Sequence, residues 1–328
     1  MPIREVLRRY ARIVAMTAAL GAFVVPASAN APIAIPPTAG QSTAGQPTTT
    51  VFGRDQRVAA ILEAQLASLA GTSPGRVGIA AIDLDRGTMV AINGDTPFPM
   101  ASSSKIAIAA TFLDEVDKRR YTLDQKFPLM VPLPSRPGST PIAPVRAGQS
   151  FSARALIDMM MIHSNNQAAD AILAAAGGPR AVNAWLASAG ITGQRLDHDM
   201  ATLVRDDGQV DPSRVVDPRT SSTPHAMIAL LTALDRGTVL SPDSRAVLFG
   251  AMSRCATGAR RIKGMLPPGT EVEHKTGTLN RVTVDVGFMR LPDGRRIALS
   301  VFMAGPEGHA VHTEKIAEAA KLIYDNLY

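Results

Sequence analysis

Short β-type runs occur at 77–84 and 89–93 and again at 271–274, 282–290 and 296–304, while the long stretch between them is patterned almost entirely for helices. The runs that adjoin in sequence are joined by tight turns, Asp85-Arg86-Gly87 and Pro292-Asp293-Gly294, and must therefore pair as antiparallel hairpins. The remaining pairing has to bring the two ends of the chain together. The fold class expected is α/β of the α+β kind: a five-stranded antiparallel sheet built from both termini and flanked by helices, plus an all-helical domain inserted in the middle.

The helical segments read from apolar spacing are Val58 to Leu69, Ser152 to His163, Gln167 to Ala176, Arg180 to Ala189, Pro224 to Asp235, Asp243 to Met252 and Thr313 to Leu327. The segment 128–148 carries prolines at 128, 132, 134, 137, 141 and 144 and reads as loop. Arg195 to Thr223 is a looser polar stretch. With 328 residues, 46% of them hydrophobic, the chain can bury one large core or two smaller ones.

Residues 1–29 read as a signal peptide: Arg4, Arg8, Arg9 and Arg12, then the apolar segment Ile13 to Val25, then Pro26-Ala27-Ser28-Ala29 before the cut. Export to the periplasm or the medium is the expectation, with no stable membrane span once the leader is removed, because the apolar run is short for a spanning helix. Residues 30–53, rich in Pro, Thr and Gln, read as a linker. The folded domain is then 54–328, its sheet part from 54–97 and about 253–328 and its helical part about 98–252. The leader holds four Arg and one Glu, so the net charge of +6 becomes +3 without it. That balance, with only 4% aromatic residues and no basic run among them, argues against nucleic acid as a partner. Cys255 is the sole cysteine, which excludes an internal disulfide and a cysteine metal site.

Phe98-Pro99-Met100-Ala101-Ser102-Ser103-Ser104-Lys105 leads into an apolar helical run, Ile106 to Leu113. Ser102 and Lys105, three apart, share one helix face and can share a hydrogen bond. The amide groups and dipole at that helix start favour developing negative charge, a setting for a nucleophile. Lys can act as its base if burial or a second cation lowers its pKa. Alone the pattern is common; two downstream motifs change its weight. These are Ser164-Asn165-Asn166, in a turn between helices, and Lys275-Thr276-Gly277-Thr278, on a strand edge.

In that order the three motifs resemble those of the penicillin-interacting serine hydrolases, and the chain is similar to the class A β-lactamases. Phe98-Pro99-Met100, Gly177-Gly178-Pro179, Ala184-Trp185-Leu186, Arg195-Leu196-Asp197, and Thr257-Gly258 through Arg261-Ile262 and Leu266-Pro267 carry the resemblance further, over roughly 54–328. It implies a β-lactamase/transpeptidase-like fold and an acyl-enzyme on Ser102, with Lys105 and Ser164 moving protons. It also implies that Asn166, Lys275, Thr276, Gly277, Thr278 and Arg261 bind substrate, a β-lactam or peptidoglycan-like small molecule. The N–H groups of Ser102 and Thr278 would form the oxyanion hole. The guanidinium expected for the substrate carboxylate is Arg261, because the other position used in the family reads Val284 here. No metal or other cofactor is implied, and a monomer is expected.

The resemblance breaks where the family activates water to release the acyl group. Its Glu falls on Met200 and its Asn on Val204, and no Glu occurs between Glu115 and Glu271. Asp199, Asp206 and Asp207 are candidates for a displaced base. Asn165 stands where the family usually has Asp, and His198 where it often has Arg. The expected activity is β-lactam hydrolysis with impaired deacylation. The alternatives are a D,D-peptidase- or esterase-like hydrolase and a sensor or scavenger that stays acylated. The histidines have no metal-binding spacing, and His309 with His312 reads as a loop pair.

Overall fold

The computed structural model describes residues 52–328, and Asp55–Tyr328 form one unit. The expected leader and nearly all of the expected linker lie outside the described residues; Phe52 and Gly53 belong to the first helix described. The five-stranded sheet consists of β1 (Arg76–Asp83), β2 (Met89–Ile92), β8 (Val272–Leu279), β9 (Val282–Arg290) and β10 (Arg296–Ala304), in the order β2-β1-β10-β9-β8. All its pairings are antiparallel, and β1 with β10 joins the N-terminal strands to the C-terminal ones, Arg76 opposite Ala304 and Asp83 opposite Ile297.

Side chains alternate across a strand, so each strand feeds two cores. Ile297, Leu299, Val301 and Met303 of β10 join Val77, Ile79 and Ala81 of β1 beneath two terminal helices, α1 (Phe52–Gly71) and α9 (His309–Leu327), which contribute Leu62, Leu66, Ile316 and Ile323. Ala298, Phe302 and Ala304 turn the other way with Ala80 and Ile82, and join the helical core. That core surrounds α2 (Lys105–Asp117), where every residue from Lys105 to Leu113 is buried. A helix apolar all round is a central helix. Around it lie α3 (Ala153–Ile162), α4 (Asn166–Ala176), α5 (Pro179–Ser188) and α8 (Pro242–Ser253), while α7 (Pro224–Asp235) packs on β1 and β10.

Three elements differ from the sequence expectation. The proline-rich 128–148 is not all loop: β4 (Lys126–Pro132) and β5 (Val145–Ser152) form a two-stranded antiparallel ribbon, with a register shift between Pro128 and Met130. A ribbon tolerates proline because each strand has a free edge and the shift absorbs a residue that cannot donate. The polar stretch before α7 contains α6 (Met200–Arg205) and two short strands, β6 (Gln194–Arg195) and β7 (Ser221–Ser222), which pair with β3 (Phe98–Pro99) in a small sheet. His309 and His312 occupy the first turn of α9 rather than a loop, and both meet the hydroxyl of Thr283, at 2.9 and 3.2 Å. Among the described residues no helix is long and apolar enough to cross a membrane.

Candidate active site

The small sheet fixes where the nucleophile's turn begins. Phe98 and Pro99 pair with Ser222 and Ser221, and Met100 N donates to Thr220 O at 3.2 Å. The chain then turns through Ala101, whose φ of +48° lies in the left-handed region. Residues Ala101–Ser104 form a 3-10 turn that runs into α2. Ser103 Oγ and Ser104 Oγ bond back to Met100 O and Ala101 O and hold that turn. In a 3-10 turn residues three apart eclipse, so Ser102 and Lys105 project from one side. Ser102 is half-buried; Lys105 is fully buried.

Strand β8 forms the opposite wall at the sheet's edge. Its alternation sends Lys275 toward the helices and His274, Thr276 and Thr278 to the other face. Gly277 is required by close approach: a Cβ there would lie 2.7 Å from Met100 O, 2.9 Å from Ala101 Cβ and 3.2 Å from Ser102 N. The third wall is Ser164, held at φ +58° between α3 and α4. Asn165 caps α4 by accepting from Ala168 N.

The three walls meet through two lysines. Lys105 Nζ donates to Ser164 O at 2.6 Å and to Asn166 Oδ1 at 2.6 Å, and lies 3.2 Å from Ser164 Oγ. Lys275 Nζ donates to Ser164 Oγ at 3.0 Å and to Thr276 O at 2.9 Å. The bond expected between Ser102 and Lys105 is not formed: the amine is drawn instead to two carbonyl oxygens across the cleft. Burial, then the charge of Lys275, holds the Lys105 pKa well below the ordinary lysine value, and Asp170 opposes the shift. Burial also brings Lys275 down, to about 8, with Arg261 acting in the same direction and Cys255 and Asp285 against it.

Arg261 lies against β8 and β9. Its guanidinium donates to Gly277 O and Val284 O, each at 2.9 Å, and to Thr278 Oγ1 at 2.7 Å. The residue at Val284 thus supplies a carbonyl that orients the Arg rather than a cation of its own. Ser102, Lys105, Ser164, Asn166, Lys275 to Thr278 and Arg261 are thus brought together where the starts of α2 and α4 meet β8.

Met200 opens α6 with only 1% of its surface exposed and belongs to the helical core. Val204 is 54% exposed. The candidate bases are all engaged: Asp199 caps α6 by accepting from Thr202 N at 2.8 Å, Asp206 binds Arg205 and Gly138 N, and Asp207 accepts from Asn280 N. His198 Nδ1 lies 3.2 Å from Thr220 Oγ1. A cavity of about 340 Å³ lies between the 198–220 loop and the β8-β9 turn, lined in part by His198, Thr220, Asn280 and two of the candidate bases, Asp206 and Asp207; Ser102, Lys105, Ser164 and Lys275 do not line it.

Sequence reasoning missed Asp170, one turn beyond Asn166 on α4. Its two oxygens accept from Met200 N at 2.6 Å and Ala201 N at 2.9 Å, which fixes the start of α6 against α4. The signal was present as a lone Asp on an otherwise alanine-rich apolar helix face. Burial and the neighbouring Asp199 raise Asp170 to about 8, against the two backbone donors and Lys105. A carboxyl raised on folding holds its proton more tightly in the folded state. Its contribution to stability is complete below the ordinary carboxyl pKa of about 4 and is lost as pH rises through about 8. Asp170→Asn, which cannot ionise, is expected to reduce the fall in melting temperature between about pH 5 and about pH 9, measured by scanning calorimetry. An equal fall in both proteins would assign that ionisation to another group.

The profile of the beta-lactamase enzyme family matches residues 61–327. The chain belongs to that family. It is 30% identical over 275 residues to a beta-lactamase of Bacteroides uniformis, covering 80% of this chain and 90% of that protein. It is 29% identical to the extended-spectrum beta-lactamase PER-1 of Pseudomonas aeruginosa, covering 80% and 86%. Among solved structures, a beta-lactamase from Chitinophaga pinensis superposes with a TM-score of 0.72 at 26% identity, over 82% of this chain and all of that one. This β-lactamase-family chain thus has the serine-hydrolase architecture that its motifs implied.

Proposed function

We propose that the chain is a serine β-lactamase-like hydrolase that acylates at Ser102 and releases the acyl group slowly. The observation that carries this is the Lys105-Ser164-Lys275 network. A neutral amine has two N–H groups and one lone pair. Ser164 O and Asn166 Oδ1, both at 2.6 Å, take the two N–H groups and leave the lone pair to a hydroxyl. In this reading the hydroxyl is that of Ser102, on the same side of the 3-10 turn, and it is met when the Lys105 side chain gives up those bonds and turns back along its own helix. Its proton passes to Lys105 as the oxygen attacks the lactam carbonyl.

In this reading the oxyanion forms beside the close approach of Gly277 to Ser102 N, with the N–H groups of Ser102 and Thr278 as its donors. A donor of that kind is commonly worth about 3 kcal/mol. Ser164 stands between both lysines and hands a proton to the departing ring nitrogen, while Lys275 keeps the local potential positive. Thr276, Thr278 and Arg261 take the substrate carboxylate, and Asn166 its side-chain amide. Slow release follows from Met200, a buried thioether that can neither hold nor deprotonate water. Action on a small molecule as an exported monomer belongs to the same reading and rests on residues 1–29 and on the relatives' activity.

Mixing the protein with a chromogenic cephalosporin while following colour and intact mass tests it. The expected result is a burst equal to the enzyme concentration, a mass increase of one acyl group, and a slow steady state. No colour and no adduct would overturn the reading, and fast sustained turnover would overturn slow release alone.

A further inference from the structure

On the far face of β8 from Lys275 lies a buried cluster that the proposed chemistry does not use. His274, with no exposed surface, turns Nδ1 to both oxygens of the equally buried Asp285, 2.9 Å away. Its other nitrogen, Nε2, has no hydrogen-bond partner among the described residues. The imidazole is near enough to Cys255 for each to bias the other's ionisation. The Cys255 sulfur lies 3.3 Å from Thr257 Oγ1 and 3.6 Å from Thr257 O. Thr257 Oγ1 lies 2.6 Å from Thr276 Oγ1, in the Lys275-Thr276-Gly277-Thr278 motif. Gly258, at φ +73°, allows this approach, since a Cβ there would fall 2.4 Å from the Thr276 methyl.

Each hydroxyl in the chain Cys255-Thr257-Thr276 owns one hydrogen, so its bonds can run in one of two directions. With a thiolate at Cys255, Thr257 donates to sulfur, Thr276 donates to Thr257, and Thr276 has no hydrogen left for an incoming anion. With a thiol, the S–H turns to Thr257, Thr257 donates to Thr276, and the Thr276 O–H is free to meet a carboxylate. We infer that Cys255 is a positioning residue whose proton sets the donor direction of Thr276 and so links recognition of the substrate carboxylate to pH. This rests on the reading of Thr276 as part of the carboxylate site.

The groups around Cys255 are His274 of β8, Asp285 of β9, and Arg261 and Thr257 of the segment before β8, with the charge of Lys275 acting from the other face of β8. Burial favours the thiol, but the neighbouring His274 and its charge, then Thr257 and Lys275, bring the thiol pKa to about 6. Burial opposes the imidazolium, yet Asp285 and Cys255 together raise His274 to about 9. Thiolate and imidazolium therefore coexist near neutral pH, and the site gains its outward donor as pH falls toward 6.

The test has two readouts. Absorbance near 240 nm titrates the sole cysteine directly, and the second-order rate of acylation by benzylpenicillin, read by intact mass, is followed over the same pH range. The parent is expected to form its thiolate near pH 6 and to lose about tenfold in acylation rate above that pH, relative to Cys255→Ser, whose hydroxyl stays protonated. His274→Asn is expected to move the thiolate titration upward, with the acylation profile following it. A thiol that titrates above about pH 8 in the parent, or identical pH profiles for the parent and Cys255→Ser, would overturn the relay while leaving acylation intact. Absence of any adduct in both proteins at every pH would instead remove the β-lactam reading and this extension with it.

Discussion

Ser102→Ala is expected to lose acylation by β-lactams by at least about 10⁴-fold, with no mass increase on prolonged incubation with a penicillin. The size follows from the division of labour in the cleft. Lys105, Ser164 and Lys275 bond one another without the Ser102 side chain, so the proton network stays assembled and only the attacking oxygen is missing. For the same reason the substitution should leave the melting temperature nearly unchanged, because no side-chain hydrogen bond within the protein is given up. Binding without acylation would then be measurable in the variant. A persistent adduct on Ser102→Ala would transfer the nucleophile's role elsewhere, and peptide mapping would show whether Ser164 carries it.

Met200→Glu is expected to accelerate release of the adduct by about 10²-fold or more, the usual contribution of a positioned general base. Asp170 holds the amide groups of Met200 and Ala201, so the backbone at position 200 is anchored on α4 independently of the side chain it bears. A carboxylate introduced there enters a largely apolar pocket, and its pKa should rise toward neutrality. Release followed by single-turnover mass spectrometry should show the gain chiefly above that pKa, while the acylation rate changes little. An unchanged release rate would mean that water is activated from a different direction and that the slow step does not depend on position 200.

Much of the architecture was legible before any coordinates. β1 and β10 read as nearly continuous apolar runs because each is buried on both faces, and the tight turns Asp85-Arg86-Gly87 and Pro292-Asp293-Gly294 dictate antiparallel neighbours. The proline-rich ribbon was not legible, because proline is a poor strand former by propensity and its tolerance depends on a free edge that only pairing creates. Helix α6 was also missed: it has six residues, too few for periodicity to register, and its start is held by carboxyl oxygens of Asp199 and of the distant Asp170.

The site divides in the same way. Ser102, Lys105, Ser164, Asn166 and Lys275 to Thr278 could be named from local motifs, because each motif occupies one turn or strand edge whose geometry is set by its immediate neighbours. Their meeting was implied by family resemblance, and the partner chosen by Lys105 was not: two carbonyl oxygens across the cleft outcompete the hydroxyl one turn away. Asp170 carried only a faint signal as an isolated acid among alanines. The set Cys255, His274 and Asp285 carried none, since nothing local relates residues 19 and 11 positions apart until two strands and a preceding loop are folded together.

The linear order of residues determined the sheet's strands, the motif turns and the family to which the chain belongs, because these depend on period, turn chemistry and short spacings. Tertiary structure decided which groups are buried beside which, and with that the charge on Lys105, the proton on Asp170 and the partner of Cys255. Those depend on desolvation and on charges brought close from distant segments, quantities that arise only when the chain has closed on itself.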